Sequence, residues 1–199
     1  LESSFAADDD GYILKATNED SKSSDNDLVI AIEGSVSSMD PANIPDTNAI
    51  SATRGVYETL VSFDENQKLT GKLAESWEVS DDSLTYTFKL RQGVKFQDGT
   101  DFNAAAVKAN YDRVVNKDNN LRQRRTFIVT NEDGSETPRV DSIETPDDYT
   151  VVFHLTQPDS AILSKLTYSS LAVLDSAVVK EHGGTDAADA SSTDTAQAY

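Results

Sequence analysis

The residues with chemical potential are few. Two histidines, His154 and His182, are the only candidates for a neutral-pH proton shuttle. Each has a plain reading: His154 falls on a strand face opposite the apolar set, and His182 precedes Gly183-Gly184 in a polar stretch. Hydrolysis needs a nucleophile held beside a base, and acid–base catalysis needs carboxylates in a sheltered cleft. The pairs Asp81-Asp82 and Asp147-Asp148 instead sit where the chain must turn, and turn chemistry accounts for them. No G-x-S-x-G, H-E-x-x-H or Gly-rich phosphate loop occurs. Asp8-Asp9-Asp10-Gly11 fails as a calcium loop, because Ala6 and Thr17 stand at its first and twelfth positions. Neither catalysis nor a cofactor is expected.

Composition narrows the partners. The 199 residues carry a formal charge of −18, so neutralising nucleic-acid phosphates is not expected. The one basic cluster, Arg122, Arg124 and Arg125 in NNLRQRRTF, reads as a solvated helix end or loop. Trp77 and the tyrosines could stack on a sugar or base, but at strand and helix spacing they read as core. No apolar run is long enough to cross a bilayer as a helix. Residues 1–27 hold eight acids against two bases and little apolar pattern, the composition of a disordered leader or tether. Such a leader, with no cysteine in the chain, is compatible with an extracytoplasmic protein whose targeting segment has been removed.

The elements that must position any site follow from periodicity. LVIAIEG, 28–34, is a buried-strand pattern that empties into the Ser-, Asp- and Pro-rich SVSSMDPANIPD. In open α/β sheets, loops leaving strand carboxyl ends gather ligands, which makes Gly34, Ser35, Val36, Ser37 and Ser38 candidate ligand-binding residues. Asp46 or Thr47 could cap a helix over Asn48–Val61, although Gly55 interrupts it. A short hairpin cornering at Asp64–Asn66 follows. In AESWEVSDDSLTYTFKLRQGVKFQDGT, Leu84, Tyr86, Phe88 and Leu90 share one strand face, and Thr85, Thr87, Lys89 and Arg91 share the other. Asn103 caps a helix to about Val115, and Asn116–Asn120 and Asn131–Pro138 read as loops. RVDSIETPDDYTVVFHL is strand, turn and strand, with Val151, Phe153 and Leu155 facing inward. Residues 160–167 read as helix, and SSLAVLD, 169–175, as a buried strand.

LAESWEVSDDSLTYTFKLRQGVKFQDGTDFNAAAVKANYDRV resembles the signature region of the family 5 extracellular solute-binding proteins, the oligopeptide and dipeptide receptors of ABC importers. LVIAIEG…MDP, VYETLVSF, VDSIETPDDYTVVFHL and LAVLDSAVVKEHGG extend the resemblance from about residue 28 onward. Gln97, where histidine is common, Asp101 in place of proline, and Ala104–Ala106 in place of acids depart from the pattern. The resemblance implies an α/β fold, a type II periplasmic-binding-protein-like lobe 1 with an accessory α+β domain. On that reading residues 28–55 and 166–199 are the two lobe 1 segments, 56–165 is the accessory domain, and the second lobe is missing from this chain. It implies a monomeric receptor that captures peptides outside the cytoplasmic membrane for ABC permease subunits, tethered by a lipid anchor outside this sequence. Nickel complexes, oligosaccharides or another solute stay open, as does a surface module that binds no solute. Tyr168, Ser169 and Ser170, at the entry to the return segment, are a second candidate ligand wall, with a plain strand entry as the alternative. Because one lobe cannot bury most of a ligand, weak binding by these residues alone is expected.

Overall fold

The structure is a computed structural model that describes residues 40–44 and 47–175. The strand expected at 28–34 and the loop Gly34–Ser38 lie outside the described residues, as do Asp46 and His182.

The alternating stretch of the sequence folds as its period requires. β3 (Ala74–Val79), β4 (Thr85–Leu90), β7 (Val140–Asp147) and β8 (Thr150–Leu155) form one antiparallel sheet in the order β3-β4-β8-β7. Tyr86, Phe88 and Leu90 of β4 and Val151, Phe153 and Leu155 of β8 point to the same buried face, while Thr85, Thr87 and Lys89 point away. The turns use the acids as read. Asp82 accepts from the Ser80 hydroxyl and the Leu84 amide, and these bonds hold its carboxyl below the usual range. Asp147 accepts from the Tyr149 amide and the Thr150 hydroxyl at 2.9 and 2.8 Å.

α2 (Ala104–Val115) covers the apolar face of the sheet. Its start is set by Asn103, whose side-chain oxygen accepts from the Ala106 amide at 2.9 Å and satisfies one of the amides a helix leaves open. Val107, Tyr111 and Val114 repeat at helical spacing and are buried. The Phe153 ring meets Phe88 and Tyr111 edge-on, with centroids 5.6 and 5.2 Å apart, an arrangement that favours positive ring edges over negative faces.

Four expectations are corrected. The helix read over Asn48–Val61 is the shorter α1 (Thr47–Thr53). Leu60 and Val61 had matched its stripe, but the Leu60 carbonyl accepts from the amides of Lys72 and Ala74, and Val61 opens β1 (Val61–Phe63), paired with β2 (Leu69–Gly71). Strand pairing outcompetes weak helical periodicity there, past a Thr53 hydroxyl that bonds back to the Ala49 carbonyl at 2.9 Å. The loop read over Asn131–Pro138 contains half of a hairpin, β5 (Ile128–Thr130) with β6 (Glu136–Pro138). Helix over 160–167 shrinks to α3 (Ile162–Lys165). SSLAVLD is buried but is not a regular strand: Ser169–Leu171 is a 3₁₀ turn, and only Val173 bridges, to Glu58.

α2 also fastens the segments that flank the sheet. Arg113 on its buried side pairs with Asp40, both side chains almost completely shielded, and Asp40 caps the Pro41–Asn43 turn by accepting from the Ala42 amide. The Tyr111 hydroxyl donates to the Leu171 carbonyl at 3.2 Å, and the Asn110 side chain bridges Ala172 and Leu174. Burial pushes the Tyr111 hydroxyl well above its ordinary pKa, so it remains a donor. The residues 40–44 and 169–174 are thus held against the same core as the sheet. At Gly71 a Cβ would come within 2.3 Å of the Ala74 carbonyl, so only glycine allows the β2–β3 corner.

Candidate functional site

The anchoring of the return segment decides where its candidate residues lie. With Leu171 and Ala172 tied to α2, the 3₁₀ turn before them presents Tyr168, Ser169 and Ser170 to a groove of about 890 Å³. Tyr168 is 54% exposed, unusual for so large an aromatic residue, whereas Ser170 is almost buried. A strand entry buried in the core would hide the tyrosine.

The rest of the groove comes from segments far apart in sequence. α1 and the turn after it bring Ile50, Arg54 and Tyr57; β1 and its approach bring Thr59, Ser62 and Phe63; the 3₁₀ turn Arg122–Phe127 brings Gln123, Arg125 and Thr126. Phe63 is 43% exposed here. Thr59 is already committed, its hydroxyl donating to the Val61 carbonyl at 2.7 Å. The basic cluster divides. Arg124 is a structural clamp: its guanidinium forks onto Glu136 at 2.9 and 2.8 Å, and its Nε donates to the Val115 carbonyl. The Glu136 carboxyl is held below its ordinary range by that arginine. Arg125, one residue on, turns to the groove.

The groove therefore offers aromatic faces, hydroxyls, an amide and cationic groups, which are means of holding a solute. His154 belongs to the sheet instead, its Nδ1 3.4 Å from the Thr85 hydroxyl and its Nε2 3.6 Å from Glu144. Trp77 packs against the core, as its strand position predicts. Among the described residues there is no cluster of three or more His, Cys, Asp or Glu side chains able to hold a metal, and no helix long and apolar enough to cross a membrane. Two departures from the expected sequence pattern have structural uses: the Gln97 amide donates to the Val56 carbonyl at 3.0 Å, and Asp101 pairs with Lys95.

Of the residues that line this groove, Tyr168, Ser169 and Ser170 are candidates from the sequence, and Arg54, Tyr57, Phe63 and Thr126 are not. Arg125 reads from the sequence as solvated, which is true of its exposure and silent about its position. Gly34, Ser35, Val36, Ser37 and Ser38 are outside the described residues.

The mixed α/β scaffold presents an open groove lined by polar and aromatic side chains. Comparison with known proteins gives the family: residues 68–198 match the bacterial extracellular solute-binding proteins, family 5 Middle, and the chain belongs to that family. It is 38% identical over 157 residues to the glutathione-binding protein GsiB of Escherichia coli K12, covering 79% of this chain and 29% of GsiB. Among solved structures it resembles AgaA from A. tumefacien R10 in complex with agropinic acid, with a TM-score of 0.67 and 28% identity over 77% of this chain and 29% of AgaA. It also resembles DppA from Helicobacter pylori in complex with the peptide STSA, with a TM-score of 0.57 and 29% identity over 75% of this chain and 31% of DppA. AgaA is a PBP and DppA an ABC transporter-associated periplasmic binding protein, so the fold expected from the sequence is the one found. The chain spans about 29% of the length of the curated relatives it matches.

Proposed function

We propose that these residues form part of the ligand-binding half of an ABC-importer receptor that captures peptides outside the cytoplasmic membrane and delivers them to permease subunits. The observation that carries this is the placement of Tyr168, Ser169 and Ser170 on an open groove in a chain of family 5. GsiB is named for glutathione and DppA was solved with a peptide, which supports a peptide-like solute. A groove with one open side cannot bury most of a ligand, so a second lobe would close over it. On this reading 28–55 and 166–199 are the two segments of lobe 1, with the GSVSS loop as a further wall of the cleft, and 56–165 is the accessory domain. The receptor acts as a monomer, held at the membrane by a lipid anchor.

The test is isothermal titration of the full-length gene product containing these residues with glutathione and a mixed tripeptide library. Micromolar or tighter binding is expected for wild type, and Ser169→Trp, which fills the groove, should weaken it by at least about tenfold, the loss of one good contact set. Unchanged affinity in Ser169→Trp, or no binding of either probe by the folded wild type, overturns the reading.

A further inference from the structure

We infer that Tyr111 and Arg113 are positioning residues for the solute groove: from the buried side of α2 they fix its walls in place, and so set the fraction of molecules ready to bind, without touching solute. This rests on the reading of the groove as the ligand wall. The walls have little structure of their own. Apart from α1 and β1, they are the single-turn Ser169–Leu171 segment with its approach, the Arg122–Phe127 turn, and Ile44 directly after the Pro41–Asn43 turn. Hydrogen-bond geometry in 3₁₀ turns is poorer than in an α-helix, and segments this short do not hold a conformation unaided.

The C-terminal part of α2 supplies what is missing, with a bond to each of these segments. The Tyr111 hydroxyl donates to the Leu171 carbonyl at 3.2 Å, and Asn110 adds longer bonds of 3.4 Å to Ala172 and Leu174. Arg113 pairs with Asp40, which caps the Pro41–Asn43 turn. The Val115 carbonyl accepts from Arg124 Nε at 3.1 Å and so holds the Arg122–Phe127 turn. The Pro41–Asn43 turn also packs against the other two, which ties the three together. None of Asn110, Tyr111 and Arg113 lines the groove, and their exposures of 2%, 0% and 6% leave no surface for a solute.

Stability alone does not account for these groups. α2 seals the sheet with Val107, Val114 and the ring of Tyr111, whereas Asn110 and Arg113, at (i, i+3) on one flank, are polar and still buried. A buried ion pair often contributes no more to stability than apolar side chains of the same volume, because two charges must leave water to form it. A buried hydroxyl likewise adds little net stability once its own desolvation is counted. What such bonds provide is one direction and one distance, a geometry that an apolar contact does not specify. Where walls hold the competent arrangement only part of the time, apparent affinity falls by that fraction.

Surface plasmon resonance on the immobilised full-length gene product, with glutathione and the mixed tripeptide library as injected probes, separates positioning from bare stability. Tyr111→Phe keeps the ring in the core and removes only the hydroxyl. It should lower the association rate about fivefold, the weight of one hydrogen bond, and leave the dissociation rate as in wild type, because the competent groove is unaltered once formed. Arg113→Lys, which keeps the charge but not the planar fork, should act in the same direction. Asn103→Ala, which weakens the same helix at its far end, is the control: it should lower the urea midpoint comparably to Tyr111→Phe and change neither rate. Without solute, the 169–173 amides should exchange faster in Tyr111→Phe and as in wild type in Asn103→Ala. Wild-type rates in Tyr111→Phe, an effect on dissociation instead of association, or an equal loss of affinity in Asn103→Ala overturns the inference; if Arg113→Lys does not fold, Tyr111→Phe still decides. Should that happen while Ser169→Trp still weakens binding, the groove reading stands and only the positioning falls; if wild type binds neither probe, both fall.

Discussion

The sheet with its covering helix and the groove beside it are built from the same chain by opposite rules. In the first, regular elements pair their backbone groups with one another, and side chains such as Phe88, Tyr111 and Phe153 are sealed from water. In the second, a one-turn 3₁₀ segment, the end of α1 and the Arg122–Phe127 turn leave Tyr168, Arg54 and Arg125 facing outward. The difference teaches where function is free to vary: a sealed sheet tolerates little, whereas irregular segments fastened to it can exchange side chains at small cost to the fold. α2 links the two, because its Tyr111 seals the core with its ring and holds the groove's return segment with its hydroxyl.

That contrast can be broken at graded strengths. Phe153→Ala should have the largest effect, a loss of about 4 kcal/mol from cavity formation and lost ring contacts, read by urea unfolding. Asp40→Ala should cost about 3 kcal/mol, because it leaves the Arg113 guanidinium buried without its carboxylate. Asn103→Ala removes the α2 cap and should cost about 1 kcal/mol, with full rescue by Ser or Asp. Acidification should act most gently. The Asp147 carboxyl is depressed by the Thr150 hydroxyl and the Tyr149 amide. Burial would raise Asp159, but the bonds from Lys165 and the Ala161 amide outweigh it and lower it. Carboxyls lowered on folding contribute stability in full above their unfolded pKa and lose it as pH falls through the folded value. The urea midpoint should therefore hold at neutral pH and decline below about pH 4, less steeply in Asp147→Asn. Groove substitutions such as Arg125→Gln should leave stability within about 0.5 kcal/mol of wild type.

Periodicity made the sealed region legible. Tyr86, Phe88 and Leu90, or Val151, Phe153 and Leu155, can share a face only in a strand, and Asn103 ahead of Val107 and Tyr111 marks a helix start. The same signal misled at Leu60 and Val61, whose helical spacing was overridden by backbone pairing with the 71–74 corner. β5 and β6 were invisible because none of their residues is buried, so no apolar alternation marks them. The groove was half legible. Tyr168, Ser169 and Ser170 followed from the family resemblance, but Arg54 and Arg125 share a surface with them only after folding joins segments about 45 to 115 positions apart.

The most direct measurement is hydrogen–deuterium exchange on the full-length gene product with and without the mixed tripeptide library. Solute should slow exchange in 47–57, 122–126 and 167–171, which form the groove, and leave 85–90 and 150–155 in the sheet unchanged, since those amides are already protected by pairing. Protection confined to the sheet, or none in the three groove segments despite bound solute, would contradict the assignment of the groove as the binding wall.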